Sequence, residues 1–318
     1  MIMILIAMIT ILISDSKMRR VVRSVAALLI TALLTAGCGS TAEPQGTGVH
    51  VIATTSIWAD VATAIVGDDG VVETVVPIGA DAHDFQPSPR QVADLGSADL
   101  VIVNGLGLEA GFADVLETAA ADGANVLEIA PAVDPLPFAE DETQLDPHVW
   151  FDPGRVALAA DLIADGLAEV DDSVDWEARS EAYVAELVAT QDEMERVLAT
   201  VPAESRKLVT NHESLGYFAE TFGFEVVGVV ISGGSTLGEP SSAELAELVA
   251  AIENLGITAI FAETSDSTAL AEAVAEEVGE EVVVVELYTE SLGEPGSGAE
   301  TLTGMLLTNS RRIADALG

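Results

Sequence analysis

Residues 152–201, DPGRVALAADLIADGLAEVDDSVDWEARSEAYVAELVATQDEMERVLATV, decide the fold. They hold no strand-like run, and apolar residues recur at helical spacing on both sides of a hitch at Asp171-Asp172-Ser173. Asp152-Pro153 supplies a cap and a first-turn proline for the first helix. The second half, about 174–201, reads as one long amphipathic helix with Trp176, Tyr183, Leu187, Met194 and Leu198 facing inward. On either side the pattern changes to short β-branched runs alternating with helices. Strands are expected at 49–54, 71–76, 100–104 and 125–129, then at 207–210, 225–230, 258–262 and 282–287. Ser88-Pro89 and Ser241-Ser242 open helices, while Gly256 and Gly279 close them. Such alternation predicts an α/β protein of two lobes, each a parallel sheet flanked by helices, joined by the long helix. The expected division is an N-terminal lobe over 49–173, a linking helix over 174–203 and a C-terminal lobe over 204–318. A cleft between the lobes is the default ligand site.

Upstream lies an address. Met18-Arg19-Arg20-Val21-Val22-Arg23 begins like a signal-peptide n-region, and an apolar h-region covers 25–34. The true start is therefore read as Met18, within a leader spanning 1–37. Thr35-Ala36-Gly37-Cys38 resembles a bacterial lipobox, and Cys38 is the only cysteine in the chain. Cys38 then becomes the lipidated first residue of the mature protein, and 38–48 a short flexible tether. A lone cysteine also excludes a disulfide framework and any multi-cysteine metal cluster.

Acidic residues number 53 against 12 basic ones. The leader removes four basic residues and one acidic one, which leaves the mature chain at a net charge of −44. No nucleic-acid partner is expected, because a phosphate backbone requires a basic footprint. Hydrophobic residues make up 49% of the chain, enough to build a core.

Against only four histidines in the chain, three positions stand out. His83 lies in a loop between a strand and a capped helix, His148 just before the helix capped by Asp152, and His212 just after the strand at 207–210. In parallel sheets, ligands bind at the carboxyl ends of strands, where such loops meet. Imidazole is the commonest ligand for zinc and related metals. These three residues are candidate ligands of a shared metal, whereas His50 lies within the first strand and is read as structural. A fourth ligand is expected from the second lobe near its last strand. Glu286 and Glu290 are candidates, and Glu263 is a competitor or a partner behind the ligands.

Four segments carry a family resemblance: 76–87 (VPIGADAHDFQP), 146–150 (DPHVW), 209–218 (VTNHESLGYF) and 287–292 (LYTESL). With the lipobox, they make the chain similar to the zinc/manganese solute-binding lipoproteins of bacterial ABC transporters, the cluster A-I group. The resemblance implies two lobes joined by a rigid long helix, with metal ligands at His83, His148, His212 and Glu290. It implies a monomer anchored through Cys38 on the extracytoplasmic face of the cell membrane, delivering metal to a permease and its ATPase. Two departures stand out. Family members usually carry aspartate at the fourth position, where this chain has Glu290. Many zinc members carry a His-rich loop where this chain has only the short acidic stretch 134–146. Three imidazoles and one carboxylate suit tetrahedral Zn²⁺, whereas Mn²⁺ prefers more oxygen donors. Zinc is therefore the expected cargo and manganese the alternative. An added role as a surface adhesin and a zinc hydrolase are the rival functions. The latter would require a vacant coordination position for water, so no enzymatic activity is expected.

Overall fold

The computed structural model describes residues 48–139, 142–279 and 282–318. The expected leader, Cys38 and the expected tether, residues 1–47, lie outside the described residues. The run VHVIA forms strand β1 (Val49–Ala53), followed at once by helix α1 (Ser56–Val66), whose N-cap Thr55 accepts from the Trp58 amide. Strand β2 (Gly70–Thr74), helix α2 (Pro89–Leu95), strand β3 (Leu100–Val103), helix α3 (Ala113–Ala121) and strand β4 (Val126–Glu128) complete the first lobe. Helix α2 opens on the Ser88–Gln91 capping box with Pro89 in its first turn. Its four strands run parallel in the order β2-β1-β3-β4.

Helices α4 (Pro153–Val170) and α5 (Trp176–Leu198) follow without an intervening strand. Asp152 caps α4 through the amides of Gly154 and Arg155. Along α5, Trp176, Tyr183, Leu187, Met194 and Leu198 are all buried. The second lobe repeats the first: β5 (Lys207–Thr210), α6 (Gly216–Phe222), β6 (Glu225–Val229), α7 (Ser242–Leu255), β7 (Ala259–Glu263), α8 (Ala269–Val278), β8 (Val283–Leu287) and the closing helix α9 (Leu302–Leu317). Its sheet order is β6-β5-β7-β8, again parallel. In each sheet the strand order therefore reverses between the first and third strands, the point beyond whose carboxyl ends parallel sheets bind ligands.

One apolar cluster spans both lobes and the long helix. Trp58 and Trp150 of the first half, Trp176 and Leu187 of α5, and Tyr217, Phe218, Leu287 and Leu302 of the second half belong to it. Polar ties cross the same boundary. Trp150 Nε1 donates to the Thr289 carbonyl at 2.9 Å, Tyr217 Oη to the Asp146 carbonyl at 2.7 Å, and the Leu302 amide to Asp60 Oδ2 at 2.8 Å. Among the described residues, no helix is long and apolar enough to cross a membrane.

The junction between α5 and β5 rests on Arg206. Its guanidinium donates to the carbonyls of Leu198, Val201 and Phe222 at 3.0, 3.2 and 2.9 Å and lies over the Phe224 ring. Arg206→Met would leave three carbonyls without their charged donor. It is expected to cost about 2–3 kcal/mol of stability. The check is the urea midpoint of the metal-free protein, and an unchanged midpoint would contradict this role for Arg206.

Candidate metal centre

Each candidate ligand is placed by the element that precedes it. His83 sits in the loop after β2, where its own amide donates to Asp81 Oδ1 at 2.8 Å. Its carbonyl accepts from the Gly111 amide at 2.9 Å. The ring is buried, and neither of its nitrogens has a hydrogen-bond partner. His148 ends the segment Asp146-Pro147-His148. Asp146 Oδ1 accepts from the His148 amide at 2.9 Å and from its Nδ1 at 2.6 Å. With its proton on Nδ1, the ring turns the lone pair of Nε2 into the cleft. His212 follows β5, held by the Thr210 hydroxyl on its carbonyl at 2.7 Å. Its Nδ1 is bonded to Glu263 Oε1, which fixes this ring in the same sense. Glu290 lies three residues beyond β8, next to the Thr289 carbonyl that Trp150 holds.

These four side chains meet. One ligand atom from each lies within 4.8 Å of the others, and all four residues are buried. His148 Nε2 and His212 Nε2 are 3.1 Å apart. Glu290 Oε1 is 3.3 Å from His148 Nε2 and 3.6 Å from His212 Nε2, and its Oε2 is 3.8 Å from His83 Nε2. The imidazole rings stand edge to face, with centroids 5.0–5.7 Å apart. Neither oxygen of Glu290 has an aligned hydrogen-bond donor. Buried polar atoms are ordinarily satisfied, so this many unpaired acceptors around one point calls for a cation. Donors on a tetrahedron about zinc, with bonds of about 2.0–2.1 Å, would be roughly 3.3–3.4 Å apart. The observed separations bracket that edge.

The electrostatics have the same origin. Burial lowers the His83 imidazole to about 4, with the neighbouring imidazoles adding to the effect and Glu290 opposing it. Burial would lower His148 too, but Asp146 and Glu290 overcome it and raise the group to about 10. His212 is likewise raised, with Glu263 outweighing burial. Burial opposes ionisation of Glu290, yet His148 and the other two imidazoles hold it down at about 2. Without metal, protons on the imidazoles offset the carboxylate charge.

The other expectations sort by place. Glu263 is buried behind His212 and bonded to it. Glu286 is exposed on β8, away from the cluster. His50 pairs with Glu73 at 2.8 Å on the first sheet. Asp146 went unread as the partner of His148; an aspartate two residues before a histidine is the local signal that could have revealed it. Between the lobes, the Thr236 hydroxyl donates to Asp81, and the Phe138 ring packs on Gly234 so closely that a Cβ there would collide with it.

Residues 51–316 match the family model described as zinc-uptake complex component A, periplasmic. The manganese-binding lipoprotein MntA of Halalkalibacterium halodurans is 33% identical over 289 residues, covering 89% of this chain and 94% of that protein. The zinc-binding protein TroA of Treponema pallidum is 31% identical over 275 residues, covering 84% and 88% respectively. The solved structure of that periplasmic zinc-binding protein superposes with a TM-score of 0.78 at 29% identity, over 85% of this chain and 99% of its own. A Mn-bound periplasmic metal-binding protein from Candidatus Liberibacter asiaticus gives a TM-score of 0.75 at 25% identity, over 84% and 99%.

The two charge environments separate the histidines in solution. In metal-free protein at pH 7, His83 is expected to be neutral and His148 to be an imidazolium, which ¹⁵N-resolved imidazole NMR distinguishes directly. Titration of both rings together near the ordinary histidine value would contradict this arrangement.

Proposed function

The chain belongs to the zinc-uptake complex component A family, and from that premise we propose that it captures Zn²⁺ outside the cytoplasm and delivers it to the permease of an ABC importer. The observation that carries this reading is the convergence of His83, His148, His212 and Glu290, all buried, on one point. Three imidazoles and a carboxylate form a donor set suited to tetrahedral zinc. Asp146 and Glu263 would orient His148 and His212 and strengthen them as donors. Four protein donors leave no coordination position for an activated water, so the site serves binding and release rather than hydrolysis. The protein acts as a monomer, with the ATPase working through the permease. Mn²⁺ is the alternative cargo. Glu290 has two unpartnered oxygens and could bind through both, adding an oxygen donor that manganese favours.

Loading replaces protons. His148 carries a proton below about pH 10 in the free protein, and metal must take the Nε2 lone pair. At least one proton therefore leaves per ion near neutrality, and affinity falls as the pH is lowered.

His83→Ala, His148→Ala and His212→Ala are each expected to weaken zinc binding by at least about a hundredfold while the metal-free fold persists, because these ligands lie on loops. Glu290→Ala leaves three imidazoles with water as the fourth donor, so its loss is milder, with faster release; Glu290→Asp keeps most of the affinity. Glu263→Ala costs about tenfold to a hundredfold at most, as expected for a residue acting through a ligand. Chelator competition in the presence of excess manganese measures all of these. The assignment fails if Glu263→Ala is more damaging than Glu290→Ala, or if manganese displaces zinc from the wild type.

Lipidation at Cys38 would hold the protein on the outer face of the cell membrane. Cys38→Ala is expected to release the protein to the soluble fraction with unchanged zinc affinity. Retention of the variant in the membrane would instead make the apolar leader an anchor.

A further inference from the structure

The loop between β3 and α3 contains a buried carboxylate with no part in the ligand set. Glu109 is 3% exposed, and no ion pair reaches it among the described residues. Its Oε1 accepts from the Thr54 hydroxyl at 2.6 Å and the Asn104 amide at 2.8 Å, and its Oε2 accepts from the Gly105 amide at 3.1 Å. Thr54 and Asn104 immediately follow β1 and β3, so Glu109 spans the crevice where the first sheet reverses direction. The backbone it braces is unusual: Gly105, Leu106 and Gly107 all have left-handed φ, at 82°, 54° and 85°. Leu106 adopts such a conformation only where the surroundings enforce it.

From this braced loop, two arms reach the ligand segments. At one end, Asn104 Nδ2 donates to the Pro147 carbonyl at 3.0 Å, directly before His148, while Asn104 Oδ1 accepts from Trp58 Nε1 at 2.8 Å. At the other end, the Gly111 amide donates to the His83 carbonyl at 2.9 Å. Gly111 sits so tightly on this segment that a Cβ would collide with the Phe85 carbonyl oxygen and lie 2.9 Å from the Asp84 carbonyl carbon. A buried, unpaired carboxylate is costly wherever an apolar residue would serve. Here it sets the shape of a first-lobe loop that touches both N-terminal ligand segments.

We infer that Glu109 is a positioning residue for metal capture: by fixing the 104–111 loop, it sets the separation of His83 and His148 without touching the metal. This inference rests on the proposed metal-binding role of those two histidines. An amide cannot substitute for the carboxylate. Each Glu109 oxygen accepts from a backbone N–H, so in either orientation Glu109→Gln would point its NH₂ at one of those donors.

The test uses the full chain, with zinc and cobalt(II) as probes. Glu109→Gln and Thr54→Val are compared with Leu167→Ala, a core truncation about 20 Å further along α4 from its start beside His148. Glu109→Gln is expected to weaken zinc binding by about tenfold to a hundredfold and to shift the ligand-field bands of bound cobalt. Thr54→Val removes one of the three hydrogen bonds and should move both readouts in the same direction by less. Leu167→Ala should lower the melting temperature of the metal-free protein but keep zinc affinity within about twofold and the cobalt spectrum unchanged. A wild-type zinc affinity and cobalt spectrum in Glu109→Gln would overturn the inference whatever its melting temperature, as would an equal loss of affinity in Leu167→Ala. If Glu109→Gln does not fold, Thr54→Val decides: wild-type values there overturn the inference. Failure of the wild type to bind either metal would instead overturn the functional reading beneath it.

Discussion

Two buried imidazole nitrogens held 3.1 Å apart, with a carboxylate oxygen 3.3 Å from one and 3.6 Å from the other, are the constraint on which the structure turns. Asp146 and Glu263 occupy the far nitrogens of the same two rings, so the two near nitrogens face each other. That arrangement is repulsive unless a proton or a metal lies between them. The pKa directions express it as trapped protons, with His148 and His212 raised and Glu290 depressed. A divalent cation resolves the repulsion better than protons, because one charge at the centre satisfies all four donors at once.

Holding such a cluster together requires a frame stiffer than the repulsion. Loop geometry alone would not suffice, since His83, His148, His212 and Glu290 leave four different segments of the chain. The stiffness comes from the apolar cluster that passes from the first lobe through α5 into the second. The Glu290 loop is tied largely to the opposite lobe. Trp150 grips the Thr289 carbonyl, Ser56 accepts from the Leu292 amide at 3.0 Å, and Ser291 accepts from the Gly79 amide at 2.8 Å on the loop that carries His83. A wide hinge opening would expose this shared core and break those buried bonds together. Two further contacts join the lobes, where the Thr236 hydroxyl meets Asp81 and Phe138 covers Gly234.

Much of this was legible along the chain, and the reason is local. Strand–helix alternation, the caps at Ser88, Asp152 and Ser241, and the strandless stretch before β5 are short-range patterns with direct physical meaning. The histidines were legible because they are scarce and each flanks a regular element. Choosing among Glu263, Glu286 and Glu290 was not possible from residue type in so acidic a chain. Glu286 is exposed on its strand, whereas Glu263 and Glu290 are both buried against His212, Glu263 at its Nδ1 and Glu290 near its Nε2. The identical strand order of the two sheets left no trace as a sequence repeat, since topology constrains pattern rather than identity. The bracing by Glu109 was invisible for a related reason: its partner Thr54 lies 55 residues away.

The charge balance completes the physical picture. Only eight basic residues lie beyond residue 37, and four of them are tied into the framework. Arg155, Arg179, Arg206 and Arg312 each lie over an aromatic ring, and each donates to at least one backbone carbonyl. The surface is thereby left strongly negative, which raises the local concentration of every cation without distinguishing among them. Discrimination must come from inside, where burial has stripped away water and imidazole nitrogens outnumber carboxylates. On the proposed ligand assignment, calcium and magnesium, which require oxygen donors, would gain little there, whereas a borderline metal would gain three nitrogen bonds. On that assignment, an unselective acidic exterior would gather cations and a nitrogen-rich interior would choose among them.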